Sequence, residues 1–216
     1  MKYNICILLK KARLFSPSDG IIAAMTRPKE DLRITKTKSK LFDTIMKMLE
    51  ITDLENISVN DLCTFSGIRR ATFYKHFTDK MNFCIFVMEE LRNKFSEGFD
   101  KKTLSNPGID YYIEYAKKVI DFLDNNERIV DNILNSATLA SLLQMMLEQN
   151  CKETFKLLSR SVDGGMRLPA SARITTVMLS GAVATAILAW LKSGKDLPKE
   201  QFSQEVCCII EKFLGN

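Results

Sequence analysis

The chain has 216 residues, 46% of them hydrophobic, and carries six cysteines but a single histidine. That length and apolar content can hold a sizeable core. Cys6, Cys63, Cys84, Cys151, Cys207 and Cys208 are scattered without C-x-x-C spacing, which with the lone His76 excludes a zinc set and reads as reduced thiols of a cytoplasmic protein. The net charge of +5 is unevenly placed: residues 1–25 hold four Lys/Arg against one acid, residues 26–80 eleven against eight, and residues 81–216 sixteen against seventeen. A small anion-binding head on a neutral body fits that asymmetry.

No stretch reads as a membrane span of roughly 20 apolar residues. "ICILL" near the start is too short for a signal-peptide core and runs into Lys10, Lys11 and Arg13. Residues 1–24 match nothing that follows, Met25 is a candidate start, and residues 1–34 read as an N-terminal extension or basic arm. Few Gly and Pro, with apolar residues recurring at three- and four-residue intervals, predict an all-α chain.

From Lys38, the positions Leu41, Ile45, Met48 and Leu49 predict an amphipathic helix that ends near "TDLEN". Ser58 then reads as the N-cap of a short helix, "VNDLCTF", with Asp61 completing an acidic capping box and Gly67 ending it. "RRATFYKHF" is the next helix. Thr78 is the expected N-cap of a long one carrying Met81, Ile85, Met88, Leu91 and Phe95 on one side. Beyond "SNPG" the pattern predicts helices from Ile109 to Asn125, after Glu127, from about Ala137 to Leu158, from about Ala170 to Ser193, and a last one ending at Phe213, about nine in all.

Two short helices meeting at "SGI" meet the needs of a helix-turn-helix: small Cys63 at the crossing, Gly67 where the turn requires positive φ, and Ile68 pinning the turn to the core. At 100° per residue Phe73 and Phe77 point to the core, leaving Ala71, Thr72 and Lys75 opposite, Tyr74 and His76 on the flanks, and Arg69 and Arg70 at the leading end. Small Ala71 lets the backbone approach a major groove. Arg70, Thr72 and Lys75 are candidates for base edges, and Lys36, Lys38, Tyr74, His76 and Lys80 for phosphates.

"ISVNDLCTFSGIRRATFYKHFTDKMNF" resembles the DNA-binding signature of the TetR family of transcriptional regulators, through the Ile-Ser-Val lead, Leu62 before a small residue, Ser66-Gly67-Ile68, Thr72-Phe73-Tyr74, Phe77 and Lys80. The family pattern usually has alanine where this chain has Cys63 and Ser66, and both are small enough to keep the crossing. The resemblance implies a three-helix head over residues 35–82, a linking fourth helix, and an effector-binding and dimerisation domain over 83–216. It implies a dimer that binds double-stranded operator DNA, and no cofactor.

"ITTVMLSGAVATAILAWLKSGKDLP" resembles the penultimate helix of some members. The expected dimer interface is Leu179, Ala182, Val183, Ala186, Ile187 and Trp190 with Val206, Ile210 and Phe213 of the last helix. Met88, Phe95, Tyr112, Met145, Met146, Phe155 and Met178 are candidate walls of a pocket for a small apolar ligand, since thioethers adapt to varied shapes. Nothing forms a phosphate loop, catalytic triad or paired metal-ligand spacing, so an enzyme is not expected. The expectation is a repressor. The alternative is an adaptor or activator answering to a protein partner.

Overall fold

A computed structural model describes residues 32–215. Met25, Cys6 and the arm up to residue 31 lie outside the described residues. Among the described residues the chain forms ten α-helices and one 3₁₀ turn, and no strand.

Helix α1, Leu32–Leu49, begins six residues before the expected Lys38 and buries Leu41, Phe42, Ile45 and Leu49. A 3₁₀ turn, Leu54–Asn56, stands where "TDLEN" predicts a break. Helix α2, Val59–Ser66, opens on the expected capping box: the Asp61 N–H donates to Ser58 Oγ at 3.1 Å and the Ser58 N–H donates to Asp61 Oδ2 at 2.9 Å. Hydrogen bonds from the Ser58 side chain and backbone hold the Asp61 carboxyl below the usual carboxylate range. Its contribution is therefore full above that range and is lost as pH falls through the lowered value. Ser58→Ala is expected to cost about 1 kcal/mol in a denaturant melt and to weaken that acid-side dependence, the Ser58 backbone N–H remaining to hold the carboxylate.

Gly67 ends α2 at φ 64°, the left-handed conformation glycine adopts without penalty. The Ile68 N–H returns to Cys63 O at 3.0 Å, closing the turn. Helix α3, Arg70–His76, stops one residue short of Phe77, whose φ of −135° is extended although its ring stays buried. Helix α4, Lys80–Ser96, is capped by Asp79 and not by the expected Thr78. The carboxylate accepts the Asn82 N–H at 2.8 Å, and Asn82 Oδ1 in turn accepts the Thr78 N–H at 3.4 Å.

Helix α5, Lys101–Ser105, is a single turn capped by Asp100 that the apolar pattern is too short to reveal. Helices α6 (Ile109–Asn125), α7 (Glu127–Leu134), α8 (Leu139–Asp163), α9 (Ala172–Lys192) and α10 (Lys199–Leu214) form the body. In it α9 packs on α8 and α10 packs on α6.

Two apolar clusters hold the chain together. The first joins α1, α2, Phe73 and Phe77 to Phe83, Cys84 and Val87 of α4, and reaches Ile129 of α7 and Leu142 of α8. The second joins Tyr111, Tyr112, Ala116 and Ile120 of α6 and Leu158 of α8 to Leu179 and Trp190 of α9 and to Phe202, Val206, Ile210 and Leu214 of α10. Helix α4 thus grows out of the head's core and runs on to Phe95, which packs against Tyr115 and Phe122 of α6.

The second cluster takes up most of the expected interface residues within the chain itself. Leu179, Trp190, Val206 and Ile210 are buried inside their own chain, with Trp190 stacked on Phe202 at 4.6 Å between ring centroids and its indole N–H donating to Leu197 O. Val183, Ala186, Ile187 and Phe213 are half-buried against the same cluster, and only Ala182 of the expected set is exposed. Because α9 is apolar on nearly every side, periodicity does not show which side faces inward. For the same reason α9 is, against the sequence reading, long and apolar enough by length and composition to cross a membrane. Its exposed stripe is Ile174, Val177, Met178, Ala182 and Thr185.

Candidate nucleic-acid interface

The geometry of α3 begins with Phe73. Its ring is fully buried, with Phe77 at 5.3 Å and Phe83 at 5.6 Å between centroids, and Phe77 meets Phe86 at 5.2 Å. This aromatic knot locks α3 onto the start of α4 and fixes which side of the seven-residue helix faces out. Arg69, Arg70, Ala71, Tyr74 and Lys75 are exposed there, while Thr72 and His76 are half-buried at the edges. Arg70 lies 5.9 Å from the Tyr74 ring centroid, so the two side chains share one patch.

Departures from the expected pattern are absorbed locally. Buried Ser66 donates from Oγ to Cys63 O at 3.3 Å and accepts the Ile68 N–H at 3.3 Å, so the hydroxyl braces the turn from within. Burial raises the thiols of Cys63, Cys84 (to about 11), Cys151 and Cys207, which suits packing and not thiolate chemistry.

Lys36 is exposed on α1, and Lys38 is half-buried with its ammonium 5.7 Å from the Phe86 ring centroid. Lys40 was missed in the sequence: its ammonium lies 3.5 Å from where a Cβ would stand at Gly67, over the tip of the helix-turn-helix turn. Lys80 is engaged within the chain. Its ammonium donates to Leu54 O at 2.5 Å and reaches Glu55 O at 3.5 Å, and burial pulls its pKa down. The carbonyls of the 3₁₀ turn thus give a lysine in the first turn of α4 partners within the chain.

Two further polar contacts tie the head to the body. Asn132 of α7 donates to Leu49 O at 2.7 Å, and the Glu55 carboxylate accepts the N–H of Ala137, between α7 and α8, at 2.7 Å. Neither residue carries a sequence signal, because each pairing spans more than 80 positions of the chain.

The expected pocket residues are spread over both clusters and the surface. Met146 and Met178 are exposed at 46% and 54%, Met145 packs on the first cluster, and Tyr112 is buried in the second with its hydroxyl 3.0 Å from Ser161 Oγ. Met88 and Phe155 are half-buried. Phe95 lines a groove with a different group of partners.

A helix-turn-helix whose second helix presents a cationic face is carried by a long helix into an all-helical body. More specifically, the chain has the fold of the TetR-family transcriptional regulators. A TetR-family transcriptional regulator from Syntrophomonas wolfei superposes with a TM-score of 0.61 at 14% identity, covering 84% of this chain and 96% of that one. The dihydroxyacetone kinase operon activator DhaS gives 0.55 at 17% identity, covering 83% and 96%. NalD of Pseudomonas aeruginosa, the secondary repressor of the MexAB-OprM multidrug efflux pump, gives 0.53 at 13% identity, covering 83% and 98%.

In sequence, 93 residues are 33% identical to an HTH-type transcriptional regulator of Staphylococcus aureus (strain bovine RF122 / ET3-1). The match takes in 42% of this chain and spans less than half, 44%, of that relative. No family model matches the chain.

Proposed function

We propose that the chain is a dimeric, cytoplasmic TetR-type transcriptional regulator that reads a near-palindromic duplex through α3. The observation that carries this reading is the exposed face of α3, Arg70, Ala71, Tyr74 and Lys75, held outward by the buried Phe73. Arg70, Thr72 and Lys75 are assigned to base edges, and Lys36, Lys38, Lys40, Arg69, Tyr74 and His76 to the phosphates on either side. Head and body are taken as residues 32–82 and 83–215, with the first cluster crossing between them.

Two heads must reach successive major grooves, roughly 34 Å apart, which a monomer does not do. The exposed stripe of α9 supplies the means. Ile174, Val177, Met178, Gly181, Ala182 and Thr185 recur at the three- and four-residue spacing of a helix-packing seam, and Gly181 and Ala182 permit close approach of a second α9. Neighbours of this fold include an activator and a repressor. Repression is favoured here because a dimer covering a promoter blocks polymerase without further machinery. Effector control is the finer part of the reading. Because α4 belongs to the first cluster and also packs on α6, a tilt of α4 would alter the spacing of the heads.

Footprinting on the chain's own upstream region tests the reading. Lys75→Ala is expected to cost about 1 to 3 kcal/mol at one base pair and to relax preference there. Lys36→Ala is expected to weaken all duplexes alike and to lower the slope of log affinity against log salt by about 1. Equal, sequence-independent losses in both variants would show that the division of the face into base and phosphate contacts is wrong.

A further inference from the structure

Where α1, α4 and α6 meet, the head–body junction is not filled. A groove of about 320 Å³ opens there, floored by Phe42 and Met46 of α1, Leu91 and Phe95 of α4 and Phe122 of α6, with Asp43, Lys47 and Lys94 around it. The volume falls at the small end of ligand sites, and an apolar floor with few polar groups is their usual composition.

The charges decide what fits. Lys47 and Lys94 are exposed, and neither ammonium is paired with a carboxylate among the described residues. Two cations against the single Asp43 leave the rim positive. Lys94 is already drawn inward, its ammonium 4.4 Å from the Phe42 ring centroid, so a cation stands directly at the edge of the apolar floor. We propose that this groove binds a small amphipathic carboxylate, its apolar tail on Phe42, Met46, Leu91, Phe95 and Phe122 and its carboxylate between Lys47 and Lys94.

This site is distinct from the pocket sought among the body's methionines, with which it shares only Phe95. A molecule held there touches α1 of the head, the connecting helix α4 and α6 of the body at once, and so fixes their mutual angle. Its consequence for DNA rests on the regulator reading given above; binding itself does not.

The full chain with ¹³C-methyl methionine is titrated with octanoate, sodium benzoate and 1-octanol, the two acids distinguishing an acyl from an aromatic tail and the alcohol removing the charge. Met46→Leu identifies the Met46 resonance. The expected result is a saturable shift of the Met46 methyl by at least one of the acids, with the exposed Met146 and Met178 methyls unmoved. In Lys47→Gln/Lys94→Gln, both surface positions, affinity for that acid should fall roughly three- to tenfold, the range of two partly exposed ion pairs, while 1-octanol is unaffected. No shift at Met46 with either acid up to 10 mM-range concentrations (on the order of the weakest useful affinity), or an acid affinity unchanged in the double variant, would overturn the proposal. If an acid binds as expected while no duplex is bound at any salt, the groove stands and the regulator reading fails.

Discussion

Phe73→Ala is expected to abolish DNA binding by unfolding the head. The ring is fully buried at the centre of a knot with Phe77 and Phe83, and these two pack further on Phe86. Removing a buried phenylalanine costs about 3 to 5 kcal/mol, a large part of a domain's whole stability of about 5 to 15 kcal/mol. The loss falls at the one fully buried residue within α3. Tyr74→Ala, one position along, removes a side chain that is 47% exposed and should leave the melt nearly unchanged while weakening DNA binding. Thermal denaturation beside a gel shift separates the two. A head that melts normally in Phe73→Ala would contradict the packing described here.

The second large effect is on assembly. Met178→Glu is expected to turn a dimer into a monomer without loss of fold, because Met178 is 54% exposed in the single chain and lies on the apolar stripe of α9. At a two-fold interface the substitution is made twice, and an uncompensated buried charge costs about 3 to 5 kcal/mol. That raises the dimer dissociation constant by roughly a factor of 10² to 10³ or more. Ile210→Ala should behave in the opposite manner. Ile210 is buried within its own chain, so the change should cost about 2 to 5 kcal/mol of stability and act on association only through the fold. Sedimentation at micromolar concentration reads both. A wild-type monomer, or a Met178→Glu dimer, would remove the α9 seam.

The head was legible because its determinants are local. Ser58 and Asp61 are three residues apart and close a capping box; Gly67 needs only its own φ; Phe73 betrays its burial by the spacing to its polar neighbours. The long helices of the body were legible to within a few residues. Which side of α9 faces inward was not, since Leu179 and Met178 are adjacent apolar residues and only the placement of α6, α8 and α10 makes one buried and the other exposed. The intrachain contacts of Lys80 were hidden for a related reason. Its partner carbonyls lie 25 and 26 positions away, a contact that chemistry alone does not distinguish from a phosphate. The groove was invisible because its walls come from three helices separated by loops whose angles no pattern encodes.

Selection of bound duplexes from a random-sequence DNA library at moderate salt, followed by sequencing, bears most directly on the claim that α3 reads DNA. The account predicts enrichment of a near-palindromic site with half-sites about one helical turn apart, lost in Arg70→Ala/Lys75→Ala although that variant melts like the parent. Absence of any enriched motif from a folded wild-type dimer, or an unchanged motif in the double variant, would contradict it.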